Sequence, residues 1–219
     1  MNRLYVVVEG QTEESFVKNV LSETLWRSGV LPTPILLGRQ GGRPSYARVR
    51  GDVIRLLKQE RRAYCSTMID LYGLGPGFPE CPPRPASNLA KVRDLEKAVK
   101  DDVCLEIPDL RPDLRFIPYL QLHEYEALLF SNPTAFAKAI NQVNLGAHFQ
   151  AIRDEFDTPE DINDDPNTAP SKRVVAACPG YRKVIDGTQA AVAVGIPAMR
   201  EQCRHFRDWL EILESLPPG

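Results

Sequence analysis

Two acidic residues follow apolar, strand-like segments at separate places in the chain. Glu9 comes directly after the apolar run of residues 4–8, and Asp70 ends a similar run that begins at Tyr64. In an open parallel sheet, the loops at the carboxyl ends of the strands form the crevice in which ligands bind. Two carboxylates held together there repel each other unless a cation lies between them, and hard oxygen ligands favour Mg²⁺ or Mn²⁺. The sequence therefore predicts a divalent-metal site that includes Glu9 and Asp70.

Each of these acids also has a purely structural interpretation. Glu9 could interact favourably with the dipole of the helix that follows it. Asp70 could cap the loop of residues 71–86, which is crowded with glycine and proline. The occurrence of both acids at strand ends favours a site.

A further group of polar residues follows the fourth predicted strand. Residues two apart point in different directions, so we expect either Glu124 or Glu126 to face the metal, and we favour Glu124 because it is closer to the strand end. Alternatively, both acids solvate the first turn of a helix. His123 could bind metal or shuttle a proton, but a lone histidine beside an apolar run is more often a packed or hydrogen-bonded structural residue, so it is a secondary candidate.

Basic residues that could neutralise a phosphate occur in two segments. Arg39 and Arg43 lie in a glycine-rich loop, where the backbone can approach a phosphate closely. A predicted helix start offers amide donors, a hydroxyl and two cations, from Ser171, Lys172 and Arg173. Phosphodiester cleavage needs a metal to activate water and a cation to stabilise the developing charge. The alternative is a solvated basic surface, which we favour for Arg39 and Arg43 taken alone.

The elements that position these residues alternate between strands and helices. Apolar runs and helical periodicity predict strands at 4–8, 34–37, 64–69 and 116–122, and helices at 12–25, 45–57 and 89–99. Thr12 is the predicted N-cap of the first helix, and the first strand should be central in its sheet. The remaining elements are short helices near 124–130, 133–141, 145–156, 171–177 and 204–214.

This order predicts an α/β fold with a largely parallel central sheet flanked by helices and a helical C-terminal portion. We expect an α/β core over residues 1–130 and a helical extension over 131–219 packed on it. Trp209 lies on the apolar face of the last helix, which favours a helix docked on the core over a platform for stacking bases.

Composition limits the classes of function. Lys and Arg number 27 against 29 Asp and Glu, so the net charge of −2 gives no general attraction to nucleic acid. The chain has neither an apolar segment of roughly 20 residues nor a secretion signal, which predicts a cytoplasmic protein without a membrane span. The five cysteines are scattered without a Cys-x-x-Cys pair, which favours free thiols over zinc binding.

Several motifs together resemble a known family. Residues 6–13, Val-Val-Val-Glu-Gly-Gln-Thr-Glu, resemble the opening motif of the Toprim fold, and residues 70–72 stand where that fold has an Asp-x-Asp pair. With residues 121–130 and 169–173, they resemble an uncharacterised Toprim-like family. Its members are often encoded beside ATPases in bacterial phage-defence loci and are distant relatives of the OLD-type nucleases.

The resemblance implies roles for individual residues. Glu9 would be the general acid or base or a metal ligand, and Asp70 the main metal ligand. We expect Gly10 and Thr12 to contact the phosphate or nucleic acid and Glu13 to be a secondary residue of the site. Tyr72 departs from the motif, because a phenol with a pKa of about 10 cannot replace the second aspartate as a metal ligand at neutral pH. Glu124 or Glu126 could replace it.

The leading functional hypothesis is a Mg²⁺-dependent nuclease. Glu9, Asp70 and Glu124 would hold one or two metal ions, Lys172 or Arg173 would neutralise the scissile phosphate, and an ATPase partner would supply the grip on DNA or RNA. The alternative is an inactive Toprim-like module that regulates or docks onto an ATPase. A small-nucleotide hydrolase ranks last because the first strand is not followed by a phosphate-binding motif. The oligomeric state is open, a homo-oligomer included.

Overall fold

The computed structural model describes residues 1–37, 45–79, 87–162 and 168–217. Its strands are β1 (Asn2–Val8), β2 (Val30–Leu36), β3 (Tyr64–Asp70), β4 (Phe116–Ile117) and β5 (Leu120–Gln121). All pairs are parallel in the order β2-β1-β3-β4, and β5 also pairs with β3. The first strand is thus interior, as its continuous apolar run predicts.

Helices cover both faces of this sheet. They are α1 (Gln11–Phe16), α2 (Ser22–Arg27), α3 (Tyr46–Gln59), α4 (Asn88–Glu106), α5 (Pro112–Arg115), α6 (Pro133–Ala139), α7 (Gly146–Asp154), α8 (Pro170–Ala177), α9 (Lys183–Gln202) and α10 (Arg204–Glu214). A π-helical turn, Val17–Leu21, joins α1 to α2, and 3-10 helices occur at Leu71–Gly73 and Tyr125–Ser131, among others. The predicted α/β fold with a parallel sheet and a helical C-terminal portion is confirmed.

Alternate residues of β1 enter two different hydrophobic cores, because successive side chains of a strand point to opposite faces. Val7 packs in the core that α3 and α4 complete. Val6 and Val8 pack in a core that includes residues of α1, α9 and α10. The helices beyond residue 130 therefore pack on the same face of the sheet as α1.

The structure differs from the predicted elements in several places. The second strand begins at Val30 instead of residue 34. The strand predicted at 116–122 is split into β4 and β5 around Pro118, which lacks the N–H that a ladder needs. The short helix predicted near 124–130 is a 3-10 helix over Tyr125–Ser131. Helix α9, with 20 residues, was not predicted.

No helix of the described ranges is long and apolar enough to cross a membrane. The four cysteines that the structure describes, Cys65, Cys104, Cys178 and Cys203, are free thiols, and two of them are buried. Cys81 lies outside the described residues.

Candidate active site

The carboxyl ends of β1 and β3 bring Glu9 and Asp70 together. The two strands pair in register up to Val8 and Met68. The backbone N–H of Asp70 lies 3.4 Å from Glu9 Oε2. A Cβ atom at Gly73 would lie 3.1 Å from both carboxylate oxygens of Glu9, so a glycine lets the loop after β3 approach Glu9 this closely without a steric conflict.

Glu13 is held at the start of α1 by a backbone donor. Gly10 is the N-cap of this helix, and its N–H donates to Glu13 Oε2 at 2.9 Å. The predicted N-cap at Thr12 was therefore wrong: Thr12 is buried inside the first turn, and the Glu13 side chain supplies the cap interaction instead.

The segment after β5 is fixed against the loop after β3. His123 has a left-handed backbone with φ of 59°, which is uncommon for a residue other than glycine. Its carbonyl oxygen accepts the Tyr72 N–H at 3.1 Å. Two residues further on, the Tyr125 N–H donates to Asp70 Oδ1 at 3.0 Å. This turn brings Glu124 and Glu126 to the same edge of the sheet.

Glu126 is fully buried and faces Lys183, the first residue of α9. Lys183 Nζ lies 3.2 Å from Glu126 Oε2, while 43% of the lysine side chain is exposed. The contact is an ion pair without hydrogen-bond geometry, and within the described residues neither carboxylate oxygen of Glu126 accepts a hydrogen bond. A buried carboxylate in this state is unusual and needs an explanation.

Glu124 interacts with the start of α8. Its Oε2 accepts the Ser171 N–H at 3.0 Å. The backbone amide proposed as a phosphate donor is thus already paired with a carboxylate. The sequence favoured Glu124 over Glu126, whereas the structure brings both to the same edge of the sheet.

We call the five carboxyl groups of Glu9, Glu13, Asp70, Glu124 and Glu126 the acid cluster. Burial and then the Glu13 carboxylate raise the pKa of Glu9 to about 7. Burial, and then the Glu124 carboxylate, raise the pKa of Glu126 to about 7 against the effect of Lys183. Burial, followed by repulsion from other acids of the cluster, raises the pKa of Asp70 well above its ordinary value. The folded chain therefore holds these groups in surroundings that disfavour their charged forms.

Lys183 opposes the negative charge of the acid cluster. Burial lowers the pKa of Lys183, but the surrounding carboxylates, Glu126 first and Asp70 second, raise it by more. The lysine is therefore charged at neutral pH. Sequence reasoning missed it because no motif marks the residue and because helix α9 itself was not predicted.

Other residues predicted for the site lie elsewhere or are otherwise engaged. Arg173 pairs with Glu155 at 3.2 Å and donates to the carbonyl of Thr168. Lys172 is exposed on the same helix. Arg39 and Arg43 lie outside the described residues.

The acid cluster matches a divalent cation in donor chemistry. Carboxylate oxygens are the ligands that Mg²⁺ and Mn²⁺ prefer, and Glu126 has two buried oxygens without a hydrogen bond from the described part of the chain. Among the residues described, however, no group of three or more His, Cys, Asp or Glu is arranged so that it could hold a metal ion. The donors are suitable, while the observed arrangement is not a ready-made coordination site.

Comparison with known proteins gives one match. No curated protein and no solved structure matches the chain. A family model described as a domain of unknown function (DUF4276) matches residues 8–214, and the chain belongs to this family.

Proposed function

We propose that this chain is a divalent-metal-dependent phosphodiesterase that cleaves nucleic acid at the acid cluster. The observation that carries the proposal is the excess of buried carboxyl groups over cations. Glu9, Glu13, Asp70 and Glu126 are all largely buried beside one lysine, and the pKa of each is raised. Such an arrangement costs folding free energy, and strongly shifted groups of this kind concentrate at functional sites.

The family resemblance of the sequence supports the same reaction. We propose that the DUF4276 chain is Toprim-like and distantly related to the OLD-type nucleases, with Glu9 and Asp70 in the positions of that fold's acids. The net charge of −2 favours only weak binding of nucleic acid. An ATPase partner would therefore provide most of the binding to the nucleic acid. We propose that the two proteins act together in the cytoplasm in defence against phage.

The residues of the acid cluster would have different roles in the reaction. Asp70 and Glu126 would hold Mg²⁺ or Mn²⁺, with Glu124 beside them, and Glu9 would act as the general acid or base. A bound ion supplies an activated water and stabilises charge on the phosphate. Glu9 has a pKa of about 7, so its carboxyl group can take up and release a proton near neutral pH. Lys183, partly exposed, would pair with a phosphate oxygen in the role that the sequence assigned to Lys172 or Arg173.

The direct test is cleavage by the purified full chain. We expect single-stranded DNA, duplex DNA or RNA to be cut in Mn²⁺ or Mg²⁺ and EDTA to stop the reaction. Glu9→Gln should lower the rate at least about a hundredfold, the usual scale for losing an acid or base. Glu14→Gln is the matched control, because it removes the same charge five residues further along the chain, at a surface pair with Lys18. Absence of cleavage with every substrate and metal, alone or with the ATPase, would overturn the proposal.

One observation favours a second candidate, a non-catalytic module that docks onto or regulates an ATPase. Lys183 already compensates part of the negative charge, and the described residues contain no ready-made metal-binding group. Calorimetric titration with Mn²⁺ separates the two functions. Binding that disappears in Asp70→Asn supports the enzyme, whereas no binding by the wild-type chain supports the module.

A further inference from the structure

Tyr72 is an exposed aromatic residue beside an otherwise buried group of acids. Its exposed fraction is 39%, whereas Asp70, two residues earlier, is buried. Consecutive Cα atoms are 3.8 Å apart, so the Cα atoms of these two residues are at most about 7.6 Å apart. The next residue, Gly73, is the one that packs against the carboxylate of Glu9. The ring therefore begins within side-chain reach of the acid cluster.

The backbone that carries this ring is fixed on both sides. Tyr72 lies in the 3-10 helix Leu71–Gly73, and its N–H donates to the His123 carbonyl at 3.1 Å. Gly73 lies close to Glu9, because an added Cβ would be 3.1 Å from its carboxylate oxygens, closer than most Cβ atoms pack. Within the described residues, the Tyr72 hydroxyl has no hydrogen-bond partner and the ring pairs with no other aromatic ring. A side chain carried by a fixed backbone loses less conformational entropy on binding a ligand than one carried by a mobile backbone.

We propose that Tyr72 stacks on an unpaired nucleobase next to the cleaved phosphate, so that the substrate is single-stranded nucleic acid. This inference rests on the proposed function. Phosphate contacts alone would bind poorly here, because the net charge is −2 and the site itself is acidic. Base–aromatic stacking supplies affinity without charge and tolerates any sequence. A duplex keeps its bases stacked on one another, and exposing one of them costs unstacking energy.

Trp26 provides a matched control. It is the other exposed large aromatic residue among those described, with an exposed fraction of 60%. Its carbonyl accepts the Gly29 N–H, and the Gly29 carbonyl accepts the N–H of Asn2 at the start of β1. Trp26 therefore lies at the amino end of β1, whereas Tyr72 lies at the carboxyl end of β3.

The test measures binding of fluorescent oligonucleotides by anisotropy, with the full chain and in Ca²⁺ to limit cleavage. The probes are a 12-nucleotide single strand, the same strand made of abasic sites, and the corresponding duplex. We expect Tyr72→Leu to weaken single-strand binding about five- to hundredfold, the range measured for losing one stacked base. Tyr72→Phe should stay within about twofold because it retains the ring. Trp26→Leu should bind as the wild type does, and abasic and duplex probes should not respond to Tyr72→Leu.

Any result that differs from these expectations would overturn the inference. Unchanged single-strand binding in Tyr72→Leu, equal loss for the abasic strand, or no single-strand binding by the wild type would each exclude a stacked base. Loss of ATPase binding in Tyr72→Leu, with single-strand binding retained, would assign the ring to a protein interface instead.

Failure of the proposed function looks different, since it is the absence of cleavage by the wild type. Cleavage that Glu9→Gln abolishes and Tyr72→Leu leaves unchanged would overturn only the role of Tyr72. Circular dichroism and thermal unfolding of each variant establish that the fold is retained.

Discussion

Two groups of largely buried carboxylates in this chain differ in how fully hydrogen bonds satisfy their oxygen atoms. At the start of α10, Glu160 accepts the backbone N–H groups of His205 and Phe206 at 2.8 and 2.9 Å. Close by, Glu96 accepts the Leu120 N–H at 2.7 Å and contacts His205 Nε2 at 2.9 Å. We call Glu96, Glu160 and His205 the edge cluster. In the acid cluster, by contrast, Glu126 receives no hydrogen bond from any described residue and has only the ion pair with Lys183.

The comparison contrasts a structural use of buried acids with the functional use that we propose for the acid cluster. Each carboxylate of the edge cluster satisfies backbone donors, including two at the N-terminus of a helix, and so stabilises the fold. Aromatic rings complete this region, since Tyr119 stacks on His205 and on Trp209 with ring centroids 5.0 and 4.2 Å apart. In the acid cluster, Glu9, Glu13, Asp70 and Glu124 each accept a backbone N–H, but Glu126 accepts none from the described residues. The acid cluster also places five carboxyl groups around Lys183, and these carboxyl groups repel one another. Its retention is therefore better explained by a ligand than by stability.

The largest effect should come from removing the lysine of the acid cluster. Lys183→Met leaves the buried Glu126 without its cation, and we expect the free energy of unfolding at pH 8 to fall by about 3 kcal/mol. The loss should shrink at pH 5.5, where Glu126 is protonated in either protein. Urea unfolding at both pH values measures this difference.

An exposed ion pair gives the control for this experiment. Lys18, in the π-helical turn, forms a surface ion pair with Glu14 of α1. Lys18→Met should therefore change the free energy of unfolding by less than about 0.5 kcal/mol. Equal losses of stability in the two variants, or a Lys183→Met loss that does not depend on pH, would contradict the prediction. Either result would mean that the buried Glu126 depends on its lysine no more than an exposed glutamate does.

The second prediction concerns the pH dependence of stability. Burial raises the folded pKa of Glu126 to about 7, above its unfolded value, so between these values the folded state binds more protons than the unfolded state. Stability should therefore fall as pH rises from 5 to 7, by roughly 2 kcal/mol for this one buried group. Glu126→Gln should flatten the curve in that window.

His205 should act in a different pH window. Burial lowers the pKa of His205, but the hydrogen bond and the charge of Glu96 raise it by more. Its contribution to stability is present below the unfolded pKa of about 6.5 and is lost as pH rises through the folded value. His205→Gln should therefore change the curve above pH 6.5 and leave the 5–6 region intact, and identical curves for His205→Gln and Glu126→Gln would contradict this assignment.

The contrast between the clusters also explains what the sequence could predict. Glu9 follows one long apolar strand and Asp70 ends another. Because parallel strands end at the same edge of a sheet, the order of the elements was enough to predict that these two acids lie at one edge. Lys183 lies on a helix that contains Gly187, Gly195 and Pro197, which argue against a helix in isolation. Tertiary packing overrides them: the chain kinks at Gly195, where φ is 77°.

Gly187 illustrates why such positions resist local reasoning. A Cβ atom there would lie 2.9 Å from the Tyr181 hydroxyl and 3.7 Å from the ring of Tyr125. The glycine thus serves a close approach that only the folded chain reveals. The pairing of Glu96 with His205 joins residues 109 positions apart, and no spacing rule connects them.

The third prediction tests the structural role of Glu160. Glu160→Ala leaves the N–H groups of His205 and Phe206 at the start of α10 without their acceptor. We expect a loss of about 2 kcal/mol in the free energy of unfolding, the upper range for a helix cap. Asp161→Ala is the neighbouring control at an exposed position. Nuclease activity per folded molecule should stay at the wild-type level, and a specific loss of activity would place the edge cluster in the catalytic machinery.

The smallest effect should come from a single hydrogen bond beside the edge cluster. Trp209 is 3% exposed, and its Nε1–H donates to Ser66 Oγ at 3.0 Å, which agrees with a helix docked on the core. Trp209→Phe keeps most of the stacking on Tyr119 but removes this donor. Ser66 retains its own hydrogen bond to the Ile117 carbonyl, so we expect a loss of only about 1 kcal/mol. Trp26→Phe, at an exposed site, should change stability by less than about 0.5 kcal/mol. The free energy of unfolding could instead fall as much in Trp209→Phe as in Lys183→Met. That result would mean that packing around the edge cluster, and not its hydrogen bonds, distinguishes the edge cluster from the acid cluster.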